Sequence, residues 1–298
     1  MSDISILYNA LRDNNIPIPT KNFNTFGICR WGDKYRYWAI DLDCDGFAFG
    51  DWTIPNDKRF AFDNSTKQQM TSSQHKAFDK TIKERWEQEQ IRMTQRQNCQ
   101  SVYAKTVCIG SCGEMVKHPY LEKKQIPCPP DVTYNREQNA LFIPVSDING
   151  KIWSFQTIYA DGQKRFLKGA RKKGCMYCFG NITSANTIFV CEGFATGASV
   201  YLATHNVTVV AFDAGNLDFV VGEIVKTYPT KRIVIAADND HEKTPNTGVE
   251  VAKYVANKYH IRAILPTNLT KGMSDWNDIA CKYGIKEIIN QFKKGEIL

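Results

Sequence analysis

TIFVCEGFATGASVYLATH, residues 187–205, decides how this chain is read. The β-favouring run TIFVC ends at Glu192-Gly193, and a helix-forming stretch starts directly after it. The rhythm then repeats: VTVVAF before LDFVVGEIVKTY, RIVIAA before GVEVAKYVANKY, IRAIL before IKEIINQFKK. Strands apolar at nearly every position, alternating with helices, predict a parallel sheet covered on both faces. Ligands bind such sheets beyond the carboxyl ends of the strands, where Glu192 stands. A carboxylate there is poorly solvated, so its position requires a reason.

The segments upstream have a different grain. Residues 1–65 contain WGDKYRYWAIDLDCDGFAFGDW, in which large and polar residues alternate around a DCDG turn, and two or three antiparallel strands are predicted. Residues 66–108 are polar and charged. Phe78, Ile82, Trp86 and Met93 fall near helical spacing, which predicts one long helix with a single apolar stripe. Prolines 119, 127, 129 and 130 mark residues 112–136 as a connector. In ALFIPVSDINGKIWSFQTIYADGQKRFLKGARKKG the DING and ADGQ turns separate three short strands of a small antiparallel sheet.

Bulk properties exclude several classes. With 43% hydrophobic and 23% charged residues, the composition is that of a soluble globular protein. No apolar run approaches the roughly 18 residues that span a bilayer. MSDISILYNALRDNN has neither a basic n-region nor a long apolar core, so a cytoplasmic location is expected. The ten cysteines are scattered and are expected to be reduced thiols. Cys108 with Cys112, and Cys175 with Cys178, supply enough ligands for a zinc ion. Over 60 residues separate the pairs, however, so free thiols are the favoured reading and no zinc is expected. The net charge of +7 suits a polyanionic partner.

The chemistry concentrates in carboxylates. RIVIAA runs into Asp238-Asn239-Asp240, whose two acids project to the same side of an extended segment. Carboxylates held together repel and raise each other's pKa unless a positive charge intervenes, and a hard divalent cation is the simplest remedy. Gly193 lets the backbone turn close to a ligand without a Cβ clash. An acid at a strand end is often a helix cap. Glu-Gly at one strand end with Asp-x-Asp two strands later is a more specific pattern.

VCEGFATGAS, AFDAGN, IVIAADND and the helix NTGVEVAKYVA resemble the Toprim domain, which is shared by bacterial-type primases, topoisomerases and some nucleases. HPYLEKKQI, the segment from IPVSDING to GARKKG, GMSDWNDIA and GFAFGDW are similar to the primases of plasmids, integrative elements and satellite phages. The resemblance implies an α/β fold in three parts: an α+β domain over residues 1–125, a small antiparallel basic subdomain over 126–185, and a Toprim domain over 186–298. It implies Glu192 as acid/base and Asp238 and Asp240 as ligands of Mg²⁺ or Mn²⁺. Asp275 and Asp278 fit a late acidic pair that approaches the metals; equally, Asp278 caps the last helix or hydrogen-bonds a loop. Asp213 is a weaker candidate. Similar proteins often carry Asp where Asn239 stands.

KRFLKGARKKG holds Lys164, Arg165, Lys168, Arg171, Lys172 and Lys173, which are expected to hold the template and the incoming triphosphate. The nearby Trp153, Phe155, Tyr159 and Phe166 either stack bases or, for most of them, belong to the core. The implied activity is synthesis of RNA primers from ribonucleoside triphosphates on single-stranded DNA. Neither a zinc-ribbon cluster nor a G-x-x-x-x-G-K-[ST] loop is visible, so a separate helicase partner is implied. The polar helix is either its docking surface or, preferentially, packs on its own N-terminal sheet. Two other readings stand: a Toprim nuclease or topoisomerase, and a non-catalytic single-stranded-DNA-binding accessory.

Overall fold

The computed structural model describes residues 3–20, 28–33, 36–42, 46–54, 57–62, 72–108, 116–242 and 244–294, with backbone alone over 72–78. The chain forms two compact units, Met1–Gln95 and Arg96–Leu298.

In the first unit, β1 (Cys29–Trp31), β2 (Tyr37–Asp41), β3 (Gly46–Asp51) and β4 (Arg59–Phe62) form an antiparallel meander in chain order. The DCDG turn lies largely outside the described residues. Helix α1 (Ile4–Asp13) is an element the pattern reading did not anticipate. Asp3 caps it by accepting from Ser5 N–H at 2.9 Å. Leu7 and Leu11, one turn apart, bury against Trp31, Phe47 and Phe49. The opposite face of the sheet, with Trp38, Ile40 and Ala48, receives Ile82 and Trp86 of α2 (Ser72–Val107). The predicted long helix is thus continuous, and its stripe includes Ile82 and Trp86. Met93 is exposed, and the side chain of Phe78 is outside the described residues.

The second unit begins within α2. After α3 (Pro119–Lys124) comes an antiparallel sheet of β5 (Thr133–Asn135), β6 (Ala140–Ser146), β7 (Ile152–Tyr159) and β8 (Lys164–Phe166), one strand more than predicted. The larger sheet has the order β13-β12-β10-β11-β9. Its strands are β9 (Tyr177–Phe179), β10 (Thr187–Cys191), β11 (Val207–Val210), β12 (Arg232–Ala236) and β13 (Arg262–Ile264). Four strands are parallel, as predicted; β9 adds an antiparallel edge on β11. The intervening helices are α4 (Phe194–Thr204), α5 (Ala214–Thr227) and α6 (Thr247–Tyr259), and α7 (Trp276–Tyr283) and α8 (Ile285–Lys294) close the chain.

Strand alternation explains why these strands read as continuously apolar. Ile188 and Val190 bury with Leu217, Val220 and Ala252 of α5 and α6. Phe189 and Cys191 bury with Phe194, Trp276 and Ile288 of α4, α7 and α8. Every position of β10 from 188 to 191 therefore meets a helix layer. The second core continues into Leu141, Ile143 and Ile158 of the small sheet, so both sheets share one interior.

Helix α4 lies unusually close to this sheet. A Cβ on Gly197 would come within 2.6 Å of Val210 Cγ2 and 3.2 Å of Cys191 Sγ. Overpacking costs about 1–3 kcal/mol, and the helix-propensity gain of Ala over Gly returns about 1 kcal/mol. Gly197→Ala is expected to lower stability by about 1 kcal/mol, measured by urea unfolding; an unchanged or raised midpoint contradicts the close approach.

Candidate active site

Central β10 ends at Cys191 and delivers Glu192 between the ends of β11 and β12. Gly193 is the N-cap of α4, with extended backbone and no side-chain cap. The chain leaving β12 places Asp238 beside the start of α6, after Ala237 N–H has bonded to Ile264 C=O at 3.0 Å. Gly248, in the first turn of α6, shows how closely the two segments meet. A Cβ there would sit 3.1 Å from Asp238 O and 3.3 Å from Glu192 Oε1.

The two acids share an electrostatic problem. Glu192 Oε1 and Asp238 Oδ1 are shut off from solvent and have no hydrogen-bond partner, which costs free energy for any buried acceptor. Burial pushes the Glu192 carboxyl up to about 7, with Asp213 and Asp240 adding to the rise and the Ala214 N–H opposing it. Asp238 is held well above its ordinary value by burial first, then by Asp275, Glu192 and Asp240, with Lys164 opposing. Five acids, Glu192, Asp213, Asp238, Asp240 and Asp275, therefore act on one another across the mouth of the sheet.

The other acids are tied into helix starts. Asp275 is the N-cap of α7, and Asp278 completes a capping box with it. Asp278 Oδ2 accepts from Ser274 N–H at 2.9 Å, while Oδ1 lies 3.7 Å from Lys124 Nζ. Both Asp278 oxygens are thus engaged by the fold, and the helix it serves is α7, not the last one. Asp275 also has a raised pKa, through burial first, with Lys124 opposing. Asp213 caps α5 through Asn216 N–H at 2.9 Å and pairs with Lys172. Asn239 is a brace. Its Oδ1 accepts from Asn246 at 2.9 Å, its Nδ2 donates to Pro266 C=O at 3.4 Å, and Asn246 caps α6. An Asp at this position keeps the acceptor for Asn246 but lacks the Nδ2 donor to Pro266.

The basic run divides. Lys164 and Arg165 are successive residues of β8 and so project to opposite faces. Lys164 lies 5.5 Å over the Tyr120 ring. Its ammonium is lowered by partial desolvation and Lys124, and raised by Asp275 and Asp238. Lys172 joins it on the acidic side through Asp213. Arg165 lies 5.9 Å over Tyr159, Arg171 5.0 Å over Trp153, and Lys173 4.0 Å over the exposed ring of Phe219. Lys168 is exposed. Of the four aromatic candidates, Phe155 is buried; Trp153, Tyr159 and Phe166 are half-buried and each carries a cation over its face.

Three participants were missed. Lys124 reaches Asp278 because Asn277 of α7 donates to its carbonyl at 2.8 Å. Tyr120, on the same short helix, is buried with its hydroxyl unpartnered, as is the Thr196 hydroxyl beside Gly193. The only signal for Lys124 was its place in HPYLEKKQI; charge alone does not distinguish it from Lys123.

Cys108, Cys175 and Cys178 carry free thiols, Cys112 lies outside the described residues, and Cys128 is disulfide-bonded, contrary to the expectation of reduced thiols throughout. Among the described residues no group of three or more His, Cys, Asp or Glu stands in metal-holding geometry. None of their helices is long and apolar enough to cross a membrane.

An all-oxygen donor pair with two buried, unpartnered oxygens suits a hard cation. Mg²⁺ commonly takes only one or two carboxylates, completing its shell with water and substrate phosphates, so a preformed three-acid cage is not required for the fit.

A parallel β/α sheet with Glu at its central strand end and Asp-x-Asp after the neighbouring strand defines a class, and residues 187–286 match the family profile of the Toprim domain. Two curated proteins of Escherichia coli, each named DNA primase TraC, are 37% identical to this chain over 155 and 151 residues. These matches cover 50% and 47% of this chain but 11% and 14% of the relatives, so the chain spans a small part of their length. Among solved structures, the DnaG primase catalytic domain bound to ssDNA aligns with a TM-score of 0.47 at 11% identity, over 70% of this chain and 81% of that one.

The raised Glu192 value has a consequence for stability. With its folded pKa near 7 and an ordinary value of 4.5, the protonated native state is favoured at low pH. That stability is fully present below about 4.5 and is lost as pH rises through 7. In metal-free protein, Glu192→Gln is expected to flatten this decline and to be more stable than wild type at pH 8 by about 3 kcal/mol. Denaturant melts across pH 4–8 measure it; parallel curves for the two proteins contradict the shift.

Proposed function

We propose that this chain works as a DNA primase of a mobile element or phage, joining ribonucleotides on a single-stranded DNA template in a reaction that needs a divalent ion. The observation that carries the reading is that Glu192 and Asp238 each hold a buried, unpartnered carboxylate oxygen at neighbouring strand ends, where Glu192 Oε1 and the Asp238 main-chain carbonyl both border Gly248, beside Lys164 and Lys172. The likeness to DNA primases over half of the chain supports it. In this reading residues 186–298 are the catalytic domain, 126–185 the basic subdomain, and 1–125 an accessory domain that works with a separate helicase.

In the reaction, the 3′-hydroxyl oxygen of the primer forms a bond to the α-phosphorus of the incoming ribonucleotide. The α–β phosphoanhydride bond breaks, and pyrophosphate leaves with the electron pair. Glu192 takes the hydroxyl proton and returns it to solvent, the role of a general base. Asp238, Asp240 and Glu192 would hold Mg²⁺ or Mn²⁺, with Asp275 bordering the set, and the ion supplies charge neutralisation at the phosphates. Lys164 and Lys172 bind the triphosphate. Asp213 and Asp278 orient helices and, through them, Lys172 and Lys124. Arg171 and Lys173, with Trp153 and Phe219, line the template path.

Primer synthesis on single-stranded DNA with ribonucleotides and Mg²⁺ or Mn²⁺ tests this. Glu192→Gln and Asp238→Asn are each expected to lower product by about 10²–10⁴-fold; full activity in both variants refutes the assignment.

The template path has its own test. Arg171→Ala with Lys173→Ala is expected to weaken binding of a single-stranded oligonucleotide and to shallow the slope of log affinity against log salt by about 1.4, two phosphate contacts at about 0.7 each. Fluorescence anisotropy at graded salt measures it, and an unchanged slope removes these residues from the path.

A further inference from the structure

The opposite end of the parallel sheet carries a second concentration of charge that the primase reading does not use. Strands β12 and β13 start there, and a cavity of about 330 Å³ opens between their first residues and the ends of α5 and α6. Lys231, Arg232, His260 and Arg262 line it, flanked by Tyr228 and Tyr259, and no Asp or Glu does so among the described residues. Six residues of extended chain separate Arg232 from Asp238, about 20 Å, so this cavity is distinct from the carboxylate cluster.

Among the described residues its cations lack counter-charges. Arg262 Nε is shut off from solvent without a hydrogen-bond partner. Lys231 is fixed by bonds of 2.6 Å to the carbonyls of Ile182 and Thr183, which orient its ammonium but do not neutralise it. The nearby Asp218 is already taken by Lys258, at 2.8 and 2.9 Å. The carboxyl-terminal ends of α5 and α6 contribute about half a negative charge each. Together they offset about one of the three permanent cations Lys231, Arg232 and Arg262, and a positive excess remains.

We propose that this cavity binds a small molecule carrying a di- or triphosphate group. The Arg262 guanidinium lines the cavity without a counter-ion among the described residues, and its charge and planar fork suit phosphate oxygens. The volume lies within the range of small-molecule pockets, about 300–1,000 Å³. The tyrosine rings at its sides offer apolar surface to the rest of the ligand.

The test is isothermal titration calorimetry in EDTA, with pyrophosphate and then ATP as probes. EDTA removes any divalent ion that would draw phosphate to the carboxylates. Wild type is expected to bind at least one of the two probes. Arg262→Met is expected to weaken that binding at least tenfold. Pyrophosphate binding as tightly as ATP marks the phosphates as the whole determinant; ATP binding alone adds the nucleoside to it. Because Arg262 Nε has no hydrogen-bond partner among the described residues, Arg262→Met is also expected to melt, without ligand, at or above the wild-type temperature. Absence of binding by both probes, equal affinity in Arg262→Met, or a lowered melting temperature overturns the proposal. So does loss of oligonucleotide binding in Arg262→Met when pyrophosphate and ATP are silent, which would make the cavity a strand-binding surface.

Discussion

Carboxylates crowded at the mouth of a buried sheet repel one another, and much of the second unit is organised around that repulsion. Parallel strands ending side by side bring Glu192 and the Asp238–Asp240 segment together, and Asp275 enters from the start of α7. Water cannot screen oxygens that it does not reach, so the interaction is stronger than at a surface. The fold answers with lysines at the rim. Lys164 comes from the small sheet, Lys172 from the loop after it and Lys124 from α3. These balance part of the charge and leave Glu192 Oε1 and Asp238 Oδ1 unpartnered. Groups held in so unfavourable a state mark sites where stability is exchanged for function.

The same acids show how one residue type serves two ends. Asp213 and Asp275 cap helices, a task any short acceptor performs. Their positions at the sheet mouth also let them raise the pKa values of Glu192 and Asp238 respectively. Capping and electrostatics therefore cannot be separated by asking which role is the real one. Asp278 differs, because both of its oxygens are engaged by its own helix start and by Lys124.

Charge is distributed unevenly along the chain. Residues 1–95 carry 13 Lys and Arg against 13 Asp and Glu, whereas residues 96–298 carry 25 against 18. The whole excess of +7 thus belongs to the unit that holds the sheet and the basic run. Counter-ion release rewards positive charge placed where a polyanion lies. The neutral first unit, with its buried aromatic sheet, has no such electrostatic reason to meet nucleic acid.

Local pattern alone determined the four β/α repeats, the long helix and the strand-end positions of Glu192 and Asp238, because apolar periodicity and chain order express burial directly. Helix α1 had the same kind of signal in Asp3, Leu7 and Leu11, but no strand–helix alternation surrounds it in sequence. Strand β9 carried no signal of its own. Three residues become a strand only because β11 offers a free edge beside them. Which lysines face the acids was likewise decided in three dimensions. Lys164 and Arg165 are equivalent as letters, and strand alternation sends them to opposite faces. Lys124 gains its place from Asn277, 153 residues away. Electrostatics depends on distance and burial, and neither is a property of a residue's neighbours in sequence.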